Sequence, residues 1–319
     1  MDGKLIAIGA ALTATLAILG AVGGAFGLPA AYFATLPAFT VGFAGGWRTG
    51  FAALGAAAVA VGIALGTEEA GVFLVVQGIP TGLAVWFSLQ ARGAPGGEAI
   101  EWYPPGHVLA WLACYSAAVF AVLALGFAGG AAGSPGLEAE LASELGQAVT
   151  AVTAGADPER VKSITETLAR YFPAIVLASW IMMMAINAVL GFRVAGRFGK
   201  GRFRPEPAWS ALSLPSWLMT ATAAASLAAL VGRGTTVGFV GGNAALALCV
   251  PYVFLGFATA HSLSAKLAWR RPLLWGLYLA TFVLGWPVLL MAALGFVEDW
   301  TGLRRRVAGE RPGPEDKTL

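Results

Sequence analysis

The chain has 319 residues, of which 58% are hydrophobic and 12% charged, with a mean hydropathy of +0.74. Soluble domains carry about 25% charged residues, and no soluble core of this length could hide so much apolar surface, so composition predicts an integral membrane protein. The formal net charge of +3 sits in short basic segments between apolar runs, which is the pattern of membrane topology and argues against a nucleic-acid partner.

A membrane-crossing helix needs ~20 apolar residues. The first stretch without Asp, Glu, Lys or Arg, residues 5–47, is long enough for two crossings and is expected to break at Gly27-Leu28-Pro29. Its first half carries Ala7, Ala10, Ala14, Ala17, Ala21 and Gly24 at alternating spacings of three and four. That spacing gives one small-residue face, which invites close approach of another backbone. A cleaved signal peptide is disfavoured, because the only basic residue before this run is Lys4, beside Asp2.

Further charge-free runs cover 49–67 and 70–91. The second contains Gln77 in VVQGIPTGL, where Gly78 and Pro80 weaken the helix and could leave backbone groups open to a cavity. Run 102–137 opens on WYPPG, in which Trp102 and Tyr103 suit a membrane interface and Pro104-Pro105 stops one element and starts a helix. Between 129 and 170 the chain has soluble character. Leu137, Leu141, Leu145 and Val149 repeat every four residues, and Asp157-Pro158 reads as a helix start leading into Val161, Ile164 and Leu168. A pair of short amphipathic helices is expected there, lying on the membrane surface or capping the bundle. Run 171–192 contains Trp180 and Asn187.

Arg193, Arg197, Lys200, Arg202 and Arg204 follow, then runs 205–232 (interrupted by Glu206), 234–265 with Asn243 after Gly241-Gly242, and 272–297. The predicted fold class is an all-α polytopic membrane protein of about eight to nine transmembrane helices. Its expected parts are a six-helix membrane domain, 1–196, with an outer insertion at 129–170; a basic cytoplasmic connection, 197–206; C-terminal membrane helices, 207–300; and a polar tail, 301–319. The amides of Gln77, Asn187 and Asn243 suit either helix-to-helix hydrogen bonds or ligand contact, and Trp180 suits packing or a stacking platform.

Basic residues set the orientation. With a cytoplasmic N-terminus, Arg48, Arg92 and the run from Arg193 to Arg204 fall inside, while Glu68-Glu69 and the acidic 129–170 segment fall outside. Lys266, Arg270 and Arg271 place one end of the last run inside, and Arg304, Arg305 and Arg306 pull its other end inside as well. Either that run is re-entrant, broken at Gly285-Trp286-Pro287, or one of the last three runs does not cross.

No catalytic set is legible, and the chain is not expected to be an enzyme. GRFGKG lacks the spacing of a phosphate loop, so the chain is not itself an ATPase. His107 and His261 are expected to hydrogen-bond at helix ends, Cys114 and Cys249 to be buried free thiols, and no metal or other cofactor is implied. Carboxylates and lysines are absent from the apolar runs, which disfavours a proton relay of the usual kind.

The segments WYPPGHVLAWLA, LPAFTVGFAGGWRTG, GNAALALCVPYVFLGFATAHSL and FVLGWPVLLMAALGFVEDWTGLRRR together resemble the YybS-like family of bacterial membrane proteins, a family of unknown function (domain of unknown function 2232). More distantly, the chain is similar to the substrate-binding S components of energy-coupling-factor vitamin transporters, which have six helices and an Ala-x-x-x-Ala first helix that packs on a coupling subunit. The resemblance implies a multi-pass protein of the bacterial inner membrane. It also implies a transporter-type substrate-binding subunit lacking its own ATPase, with Gln77, Trp180, Asn187 and Asn243 toward substrate and Ala10, Ala14 and Ala17 as the docking face for a coupling subunit that works with ATPases. Besides lipid, envelope proteins are the alternative partners, if the chain is a scaffold like the MreD-like shape-determining proteins.

Overall fold

The structure is a computed structural model and describes residues 2–93, 100–128, 136–153, 157–197 and 204–308. The expected basic connection and polar tail therefore lie partly outside the described residues. Among the described residues, the only sheet is a short antiparallel pair, β1 (Ala91–Gly93) and β2 (Ile100–Trp102), with Arg92 opposite Glu101. Among the described residues, seven helical stretches are long and apolar enough to cross a membrane: Gly3–Val22, Gly24–Gly45, Trp47–Leu65, Thr67–Ser88, Pro105–Phe127, Pro158–Ala195 and Thr236–Lys266. The all-α polytopic class is therefore what this sequence forms.

The first apolar run divides earlier than expected. Helix α1 (Gly3–Val22), N-capped by the Asp2 carboxylate, ends at Gly23, and Gly24 has φ +52°, which favours glycine. After a 3₁₀ turn, α2 (Gly27–Phe33) holds Pro29 in its first turn, where a missing N–H costs nothing, and α3 (Leu36–Gly45) likewise begins with Pro37. Helix α4 (Trp47–Leu65) is followed by α5 (Thr67–Phe73), a π-helical turn at Leu74–Gly78 and α6 (Ile79–Ser88). Helix α7 (Pro105–Ala128) starts at the expected Pro-Pro step.

By internal packing the chain forms two compact units, residues 1–112 with 179–207, and residues 113–178 with 208–319. In the first unit, α1 lies along α4. Gly9 meets Val41 and Ala53, and Ala14 joins Ala38, Leu54, Ala57, Ala58, Val61 and Phe73 in one cluster. A second cluster gathers Phe39, Phe43, Val85, Leu112, Met184 and Phe192.

In the second unit, α8 (Gly136–Val152) lies along the first turns of α9 (Pro158–Ala195). Its Leu137 and Leu141 pack with Phe120, Ala124, Leu177, Phe239 and Val240, and Arg170 reaches Glu138 at 3.2 Å. Asp157 accepts from the Glu159 N–H at the start of α9, as the sequence predicts. The second amphipathic helix is not separate, however. At 38 residues, about 57 Å, α9 joins it to the sixth crossing. Its buried face is also not the expected one, because Thr165 and Ala169 face inward while Ile164 and Leu168 are exposed. Small and hydroxyl side chains let α8 come close, and the larger aliphatic ones turn away.

Helix α10 (Trp217–Val231) is 15 residues long, and α11 (Thr236–Leu263) returns against it through Gly232, Gly238 and Gly241, whose missing side chains admit the facing backbone. The last apolar run breaks at Gly285, φ +73°, into α12 (Arg270–Leu284) and α13 (Pro287–Thr301), 15 residues each. Ser262 Oγ, at the end of α11, and Arg304 Nη1, just beyond α13, both donate to the Ser210 carbonyl. The ends of α11 and α13 therefore meet at one level. Because α12 also starts there, α12 and α13 form a hairpin of about 22 Å per arm, too short for a ~30 Å hydrocarbon layer. The break falls at the expected Gly285-Trp286-Pro287, and both arms, like α10, are 15 residues long.

Candidate functional site

Three of the four residues predicted to face substrate are bonded to main chain where helices are broken. An α-helix would pair the Val76 carbonyl with the N–H of residue 80, but Pro80 has none. The turn widens to π geometry, and Trp180 Nε1 donates to Val76 O at 2.9 Å. Seven residues on, and so on the same face of α9, fully buried Asn187 donates to Tyr32 O at 2.7 Å, beside the α2–α3 junction, and to Met183 O at 2.8 Å.

In the second unit Asn243 acts on α9 itself. Its Nδ2 donates to Arg170 O at 3.0 Å and to Phe239 O at 2.9 Å, and its Oδ1 accepts from Ala174 N at 2.8 Å. Arg170 O and Ala174 N are the two ends of one helical hydrogen bond, so the amide is inserted into the ladder next to Pro173. These are the helix-to-helix bonds that an amide in an apolar run permits.

Gln77 differs. It lies half-buried in the π turn, and its Oε1 is buried with no hydrogen-bond partner among the described residues. The same unit holds other such oxygens, at Thr13, Thr35, Thr81 and Asn187. Thr81 follows Gln77 by four residues and shares its helix face. A cavity of about 50 Å³ in this unit, between α6 and α7, is lined by Pro80, Leu83, Phe87, Trp111 and Leu112 and does not include Gln77.

The middle of the small-residue stripe is occupied within the chain, whereas Ala7, Ala21 and Gly24 are exposed. Ala10 and Ala14 are 8% and 4% exposed, and Ala17 packs against the same cluster as Ala14. The face expected to dock a coupling subunit thus serves internal packing, the other use open to it. Of its large hydrophobic side chains, α1 leaves Ile8, Leu12, Leu19 and Val22 exposed.

An open feature lies where sequence reading expected only a surface cap. An open groove of about 660 Å³ runs between α8 and α9, with Ser143, Gly146 and Thr150 on one wall and Val161, Lys162, Thr165 and Glu166 on the other. Thr165 is 7% exposed, and its hydroxyl has no partner among the described residues. A Cβ on Gly146 would stand 3.6 Å from Thr165 Cγ2, so Gly146 keeps the narrow part open. The volume is that of a site for a small molecule, typically ~300–1,000 Å³. Four-residue periodicity flagged α8, but the groove depends on how α8 lies on α9, which the sequence does not spell out.

Two basic residues counted toward topology are structural. Arg204, 8% exposed, donates to the carbonyls of Ser88 at 2.8 Å and Tyr103 at 3.2 Å and sits over the Trp102 ring. Arg304 pairs with the buried Glu298 at 2.8 Å and donates to Ser210 O and Leu212 O. His261 donates from Nδ1 to Phe257 O at 3.0 Å, and His107 stands edge-on to Tyr103.

No curated protein and no solved structure matches the chain. A family model does, over residues 11–298, and its description is a predicted membrane protein, DUF2232. With nine-tenths of the chain inside that match and the helices arranged as above, the chain belongs to the DUF2232 family of membrane proteins.

Proposed function

We propose that this protein is a substrate-binding membrane subunit of a transporter, without an ATPase of its own, and that the α8–α9 groove takes up a small polar molecule. The observation that carries this reading is the groove itself, with its molecule-sized volume and Ser143, Thr150, Lys162 and Glu166 on its walls. With the N-terminus inside, the acidic 129–170 segment and its groove face outward, in the bacterial inner membrane, where an uptake subunit would need them. The S-component resemblance points the same way.

The test is ligand binding to the purified protein, followed by thermal shift against fractionated small-molecule extracts. A fraction should raise the melting temperature of the wild type and have no effect on Gly146→Leu, which fills the groove while improving the helix propensity of α8. An equal shift in both would remove the groove from the proposal. The second reading, an envelope scaffold without substrate, is supported by the commitment of Trp180, Asn187 and Asn243 to packing. It predicts co-purifying envelope proteins and no ligand shift with any fraction.

A further inference from the structure

The segment after the basic run buries a guanidinium without giving it a counter-charge. Arg204 is 8% exposed, and its Nη1 donates to the carbonyl of Ser88, the last residue of α6, at 2.8 Å and to that of Tyr103, just before α7, at 3.2 Å. The guanidinium carbon stands 5.6 Å from the centre of the Trp102 ring. Carbonyl dipoles and a π face temper the charge without cancelling it, and buried charges are ordinarily paired. Glu101, the carboxylate next to Trp102, is already paired with Arg92 at 2.7 Å. Among the described residues Arg204 forms no ion pair, and its Nη2 makes no hydrogen bond.

The segments that Arg204 ties together stand at the mouth of the apolar crevice between α6 and α7. The Tyr103 ring stacks on Phe87 at 5.3 Å between centroids, Phe87 stacks on Trp111 at 5.8 Å, and Trp111 Nε1 donates to the Tyr103 hydroxyl at 3.0 Å. From Phe87 the crevice follows α6 past buried Ala84 to Pro80, about 10 Å at the helical rise, with Val108 on α7 across from it. Leu83 and Trp111 on its lining are exposed, and both helices belong to stretches apolar enough to cross a membrane, so the crevice opens toward hydrocarbon. At about 50 Å³ it is far smaller than the ~300–1,000 Å³ of a small-molecule site, and it suits a thin apolar chain. Trp102 and Tyr103 suit the membrane interface, the level at which lipid phosphates lie.

We propose that this place binds one phospholipid with an anionic headgroup, its phosphate at the Arg204 guanidinium and one acyl chain in the α6–α7 crevice. The phosphate accepts from Nη2 and supplies the missing negative charge, a match for the planar donor fork of Arg. A zwitterionic headgroup brings its own cation and leaves the charge of Arg204 unbalanced, while an inorganic anion leaves the crevice empty. The site lies within the first unit and is independent of the α8–α9 groove, so its failure would leave the proposed function untouched.

Native mass spectrometry of the delipidated protein in detergent, titrated with phosphatidylglycerol, phosphatidylcholine or inorganic phosphate, tests this. Wild type should take up one phosphatidylglycerol about tenfold more tightly than phosphatidylcholine, the difference expected of one charge-assisted contact. Arg204→Gln should lose that preference, and Arg204→Lys, which keeps the charge but not the fork, should retain part of it. Ala84→Leu, which fills the crevice and leaves Arg204 in place, should weaken phosphatidylglycerol binding by a similar factor. Arg271→Gln, which removes an exposed cation of the second unit, should bind like wild type. Wild type that holds the two lipids equally would overturn the proposal whether or not the Arg204 variants fold. So would undiminished binding of phosphatidylglycerol by Ala84→Leu or by Arg204→Gln, or a loss in Arg271→Gln as large as that in Arg204→Gln. Inorganic phosphate that binds as tightly as phosphatidylglycerol would show an anion site without a lipid, and would overturn it too.

Discussion

Trp180, Asn187 and Asn243 spend their N–H groups on main-chain carbonyls at or beside breaks in neighbouring helices, and two of those breaks contain Pro80 and Pro173. In hydrocarbon no water can take over such a carbonyl, so an unsatisfied one is costly. Trp180→Phe removes the donor together with the pyrrole half of the indole; the packing loss is common to any background, and the lost hydrogen bond should add about 1 kcal/mol. In a Pro80→Ala background, which restores the helix's own donor to Val76 O, that loss should shrink by at least half. Unfolding in mixed detergent micelles measures both, and a loss of equal size in both backgrounds would show that the indole N–H is not answering the proline. Asn243→Leu removes the bonds to both Arg170 O and Ala174 N and should cost more, about 2 kcal/mol, at the upper end for amides in membranes. The sequence showed which side chains were polar at depth and where the prolines were. It could not pair Trp180 with Val76, 104 residues away, because that choice is made by helix packing.

At the scale of elements, glycine decides which helices touch most closely. Gly256 and Gly295 sit on facing backbone, so Gly295→Ala should force α13 away from Tyr252 and cost about 2–3 kcal/mol, as overpacking does. Gly276 on α12, with open space around it, should accept Ala with no loss of stability; a loss as large as that at Gly295 would contradict the packing described. The break at Gly285-Trp286-Pro287 was legible in the sequence, because a positive-φ glycine and a proline stop helices whatever surrounds them. The continuity of α9 was not, since Pro173 and the change from charged to apolar residues look like a boundary until Asn243 is seen bridging it. If α12 and α13 form a re-entrant hairpin, cysteines placed at Arg271 and Arg306 in a variant lacking Cys114 and Cys249 should react with an impermeant thiol reagent from the same side. Reaction from opposite sides would mean that the run crosses.

Over the whole molecule, surfaces that water would penalise are left open. Ile63, Trp275 and Phe282 are each more than three-quarters exposed, as suits helices that face lipid. Composition and run length made that class legible, and the acidic bias of 129–170 against the basic run after Phe192 made an orientation legible. The groove was not, because Ser143, Gly146 and Thr165 are unremarkable residues whose importance comes from the space between two helices. In the same cysteine-free background, a cysteine at Glu140 should be labelled in intact cells and one at Arg197 only after permeabilisation; the reverse would put the groove on the cytoplasmic side. The most direct measurement is native mass spectrometry of the protein extracted from its own membranes, comparing wild type with Gly146→Leu. The account predicts a discrete small-molecule mass on the wild type that is missing from the variant. A wild-type chain that carries lipid alone, or a small molecule retained equally by Gly146→Leu, would contradict it.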